Sequence, residues 1–166
     1  MNQVHAALAV VAAGAFFASH AWASDALVQF DRGFGVDPVA GIAAGAPVPN
    51  IVLSVPPGGR PWVIRSLRAG VLTDGGISVK GAGLLLAGGD AIGTRGPVSQ
   101  VFATLFCAGV AFHSPASPLD AHGNFVIKGR LGEVPPNPCV APVLLIRNVG
   151  GTAPWFAAGI VASDDD

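Results

Sequence analysis

The residues able to do chemistry in this chain are few. They are Cys107 and Cys139, His113 and His122, the single glutamate Glu133, and aspartates near glycines at positions 31, 37, 74 and 90. An even cysteine pair in an exported chain reads as a structural disulfide, so Cys107–Cys139 is expected to be a bond rather than a reactive thiol. Pairing a Cys107 thiolate with His113 would be the catalytic alternative, but no local motif of thiol enzymes surrounds either residue. His113, Asp120 and His122 have the ligand types of a metal site. Their spacing matches no zinc pattern, and Pro115 and Pro118 separate the histidines, so they stand as weak candidates and no cofactor is expected. The aspartates lack the spacing of a calcium loop and suit turns equally well.

Hydrolysis would need an activated nucleophile or a carboxylate pair. The chain has no Gly-x-Ser-x-Gly, and Glu133 lies in a proline-rich stretch. Gly88 to Gly96 is glycine-rich like an anion-binding loop, yet it lacks the Gly-Lys-Ser/Thr ending of a phosphate loop. Arg65, Arg68 and Arg147 fall in or at the ends of apolar runs, where they would face solvent, meet carboxylates, or form an anion-binding cluster. No catalytic residue is assigned.

What must position these groups is a set of short strands. Val98 to Ala108 alternates, with Val101, Ala103, Leu105 and Cys107 on one side and Phe102, Thr104 and Phe106 on the other. Similar runs are Ala26 to Phe30, Ile51 to Val55, Trp62 to Leu72, Ile77 to Lys80, Leu84 to Ala87, Phe125 to Lys128, Val143 to Arg147 and Trp155 to Val161. Asp31 to Gly35 reads as a turn, Gly41 to Pro49 as a Gly/Ala/Pro loop, and Thr73 to Gly76 as a hairpin turn. Gly81 to Gly83 marks a bulge or a close backbone approach. Four prolines around Cys139 exclude helix or central strand there. The fold class expected is all-β: a single-domain β-sandwich or small barrel of roughly eight to ten short antiparallel strands with one disulfide.

Ala6 to Ala18 is an apolar segment of signal-peptide length, too short to span a bilayer, and Ala21-Trp22-Ala23 is a small-x-small cleavage site. The division expected is an export signal over 1–23, one β-domain over 24–161 and a disordered acidic tail over 162–166. Localisation follows as periplasmic or extracellular. Lys plus Arg number 9 against 10 Asp plus Glu, a net charge of −1 that argues against nucleic acid, because phosphate binding needs a basic surface. Beyond the signal, charge is sparse, about 13% against a usual ~25%, and no transmembrane segment remains. An outer-membrane barrel is disfavoured because the chain has no tyrosine and no repeating aromatic girdle.

Val143 to Ile146 and Trp155 to Ile160 are apolar on both sides of the strand, so a second surface is expected to cover them. The function expected is that of a non-catalytic exported domain acting by association, as a homo-oligomer or with an envelope or extracellular partner. A small barrel carrying an apolar ligand is the first alternative, and a secreted enzyme without a recognisable motif the second.

Overall fold

The computed structural model describes residues 25–163. The expected signal and cleavage site, and the last three residues of the acidic tail, lie outside them. The described chain is all-β, without helix. Its thirteen strands are β1 (Ala26–Gly35), β2 (Val39–Ala43), β3 (Ala46–Pro49), β4 (Trp62–Val63), β5 (Ser66–Leu72), β6 (Gly76–Ala82) and β7 (Leu85–Leu86), then β8 (Gln100–Cys107), β9 (Val110–His113), β10 (Ser117–Pro118), β11 (Phe125–Arg130), β12 (Val143–Asn148) and β13 (Trp155–Val161). A nine-stranded antiparallel sheet runs β10-β8-β12-β13-β1-β5-β6-β11, with β9 branching from β8. It curls until its ends meet, where the Ser117 hydroxyl of β10 donates to the Val126 carbonyl of β11 at 2.7 Å. The result is a small barrel rather than a two-sheet sandwich.

Period-two alternation sends matched rows of side chains inward. Leu67, Gly81 and Phe125 share one row, Ala69, Val79 and Ile127 the next, and Ala103, Ile146 and Ala157 another. These residues are buried, and together with Phe30, Leu105 and Leu144 they fill the interior. Gly81 is where the sequence signalled close approach: a side chain there would overlap the Phe125 ring, so glycine lets the aromatic lie across β6.

Both ends are capped by the chain itself. At one end Trp62 of β4 stacks on Phe156, ring centroids 4.2 Å apart, beside the short β4–β7 ladder. At the other, the proline-rich strap 131–142 crosses the opening. Leu131 N–H donates to Gly75 C=O (2.9 Å), Gly132 N–H to His113 C=O (2.9 Å), and Ala108 N–H to Val140 C=O (2.6 Å). Cys139 closes the strap onto Cys107 at the end of β8.

Several local readings change. Asp31 to Gly35 does not turn; β1 continues through it with a register shift between Phe30 and Arg32 against β13. Trp62 to Leu72 is two strands, β4 and β5, and Ile51 to Val55 is reduced to a single Val52–Val55 bridge around a tight turn. Gly41 to Pro49 is no loop: with Val39 and Ala40 it makes the hairpin β2–β3, turned by Ala44 and Gly45, whose φ angles of 49° and 79° suit a two-residue hairpin turn. β9 and β10 gave no separate signal, being short and flanked by glycine or proline.

The second faces of β12 and β13 are covered within the chain. Trp155, outward on β13, is buried under the segment 50–57: its indole N–H donates to Asn50 C=O (3.0 Å), its amide to Pro56 C=O (2.9 Å), and it accepts from Gly58 N–H (2.8 Å). Leu145 and Ala158 are buried beside it. The second surface expected over these strands is thus supplied from within the chain, except at the β13 end, where Ile160 and Val161 are exposed.

Candidate functional site

The candidate metal ligands fall into two networks, His113 in one and Asp120 with His122 in the other. His113 is the last residue of β9, not a loop histidine, and stands opposite Thr104 of β8. Thr104 is fully buried, and its hydroxyl lies 3.0 Å from His113 Nδ1. Arg147 of β12 donates Nη1–H to the same oxygen at 3.3 Å and Nε–H to Ala153 C=O at 2.8 Å. Because the guanidinium already donates to Thr104, the hydroxyl proton is left for His113 Nδ1, which favours the neutral imidazole. Burial and then the Arg147 charge hold His113 below its ordinary pKa, and burial also lowers that of Arg147. Phe102 completes the group, with the guanidinium carbon 5.2 Å from its ring centre and the imidazole edge-on at 5.8 Å. The arrangement fastens β9 and β12 to β8.

Asp120 serves a turn. Its Oδ1 accepts the N–H groups of His122 and Asn124, both at 2.8 Å, and Oδ2 accepts the Asn124 amide at 3.0 Å. These bonds, that from the Asn124 backbone N–H first, hold its carboxyl below the usual range. Among the described residues no group of three or more His, Cys, Asp or Glu is placed to hold a metal ion. Cys107 and Cys139 are joined, which removes the thiol–histidine alternative. The Gly88–Gly96 loop turns amides onto its own neighbours: Gly93 N–H donates to Leu86 C=O and Ile92 N–H to Gly89 C=O. Arg68 lies directly opposite Lys80 across β5 and β6, beside an open hollow of about 330 Å³ that Gln29, Asp31 and Ser78 also line. Arg65 donates its own amide to Ala82 C=O at the start of β5. The three arginines therefore form no single cluster.

The feature that sequence reading missed is apolar. Every residue of β2 and β3 is exposed. Ile42 is 69% exposed, Ile51 56% and Leu53 44%, and at the foot of the hairpin Phe34 and Val63 are each 51% exposed. Gly35 joins that foot to β4 so closely that a side chain there would overlap Trp62 and Val63. No charged residue occurs between Asp37 and Arg60. The hairpin is fixed at its base, not along its length: Asn50 N–H donates to Pro38 C=O (2.9 Å), the Asn50 side-chain amide to Asp37 C=O (2.9 Å), and Val39 N–H to the Asp37 carboxylate (3.1 Å). Asn50 also holds Trp155 through its carbonyl, tying the arm to the core. A composition of Ala, Gly and Pro hid this element, because its strands pack on nothing that would impose an apolar alternation. The available signal was Ala44-Gly45 midway between Val39-Ile42 and Val48.

Compared with known family models, characterised proteins and solved structures, the chain matches none.

Proposed function

We propose that this chain is an exported, non-catalytic β-domain that works by association, with itself or with an envelope or extracellular partner. One observation carries the reading: the uncharged arm β2–β3, held out from a barrel whose own interior and ends are filled. Apolar surface left in water on such a scale favours contact with another surface. The disulfide is compatible with an oxidising location. The apolar-ligand alternative draws less support, since the inward rows are packed side chain against side chain. A photo-crosslinking side chain placed at Ile42 tests the proposal in the cells that make the protein. A discrete protein adduct at Ile42, with none from the same group at the similarly exposed Ile92 of the Gly88–Gly96 loop, is the expected result. No adduct at Ile42 refutes it.

A further inference from the structure

We infer that the partner of this arm is a second copy of the chain, joined across a two-fold axis by antiparallel pairing of β2 with β2. The inference rests on the association reading above and names its partner.

The argument begins with edges. The long sheet offers little free edge, because β10 and β11 close on each other through Ser117 and Val126. The arm is a two-stranded ribbon with two outer edges, and they are not equivalent. On β3, Pro47 and Pro49 remove N–H donors, the usual way an edge is blocked. On β2, Val39-Ala-Gly-Ile-Ala has no proline, and only the Val39 N–H is taken from outside the ladder, by the Asp37 carboxylate. Ala43 pairs with Ala46 across the two-residue turn and Ile42 with Pro47 next. Ladder pairs alternate between bonded and outward-facing, so the Ile42 N–H and C=O point away from β3. One edge is thus open and the other shut, which permits a dimer and stops an open-ended stack.

Composition selects the partner. Near a two-fold axis each residue meets its own copy, so any charge there would meet a like charge. The stretch between Asp37 and Arg60 has no charge to repel. Its nearest flanking charges, Asp37 and Arg60, are of opposite sign and make no basic cluster of the kind that draws an anionic membrane surface. Area agrees. At their observed exposures Phe34, Val39, Ile42, Ile51, Leu53 and Val63 leave on the order of 500–600 Å² of apolar surface in water, at the upper limit for a soluble monomer.

Sedimentation equilibrium of the purified protein at about 50 µM, with Ile42→Lys and Ile92→Lys variants, tests this. The expected result is a dimer for the parent and for Ile92→Lys, and for Ile42→Lys a dissociation constant raised by roughly 100-fold with an unchanged circular dichroism spectrum. A monomeric parent, a dimer that survives Ile42→Lys, or equal dissociation by Ile92→Lys overturns it. If the parent is monomeric while Ile42 still crosslinks to a different protein, only the homotypic partner is overturned. Absence of any crosslink removes the association reading as well.

Discussion

Removing the disulfide should separate what it does to the unfolded chain from what it does to the strap. Cys107 and Cys139 are 32 residues apart, and constraining a loop of that length contributes about 3.5–4 kcal/mol on the chain-entropy estimate. Alanine at both positions is the better replacement, because Cys107 is buried and serine would add an unpaired hydroxyl. From Glu133 to Pro142, Ala108 N–H to Val140 C=O is the one backbone bond among the described residues that would still hold the strap. The loss should therefore be global and also local, with faster exchange of the Ala108 amide. Urea unfolding followed by tryptophan fluorescence gives the first quantity. With a slope near 2 kcal/mol/M, the midpoint should fall by roughly 2 M at unchanged slope. Parent and variant are compared at one low protein concentration, since dimerisation would add to apparent stability. A midpoint shift under about 0.5 M, with Ala108 still protected, would refute the reasoning. It would mean that strap packing, not the covalent link, restricts the chain.

Three further outcomes follow from the geometry. Gly81→Ala should destabilise by about 1–3 kcal/mol, because the added methyl meets the Phe125 ring. Phe125→Leu in the same chain should make the alanine less costly than it is alone, as a double-mutant cycle in urea would show. His113 binds its proton less readily folded than unfolded, where its ordinary value is 6.5. Its contribution to stability is complete above that value and declines as pH falls through it toward the lowered native value, since the unfolded chain takes up the proton first. His113→Gln should flatten that decline between about pH 7 and 5; an unchanged pH profile would contradict the Thr104–His113–Arg147 assignment. Ala44→Asn should tighten the arm, because asparagine tolerates the positive φ that alanine adopts there. Amide exchange at Ala43 and Ala46 should slow several-fold, and faster exchange would argue against this turn geometry.

The strands that form the barrel wall were legible in the sequence wherever one face is buried and the other wet. On β5, Leu67, Ala69 and Val71 are buried while Ser66, Arg68 and Leu72 are exposed, as the alternation says, and Thr73 to Gly76 turns β5 into β6 with matched register. The cysteine pair was legible for a chemical reason, since two cysteines allow only one intramolecular bridge. Other features depend on contacts between distant segments, which local periodicity does not encode. Apolarity on both sides of Val143 to Ile146 and Trp155 to Ile160 showed that a cover was needed, but not that segment 50–57 supplies it for Trp155. His113 lay in no recognised run, and only the pairing of β9 with β8 set it against Thr104 and Arg147. The arm lay furthest from view. Nothing in the monomer buries β2 and β3, so no core selected their side chains, and a Gly/Ala/Pro run became a hairpin through its turn and the hydrogen bonds at its foot. Composition fixed the arm's lack of charge, and the tertiary structure decided that it stands in water with one edge open.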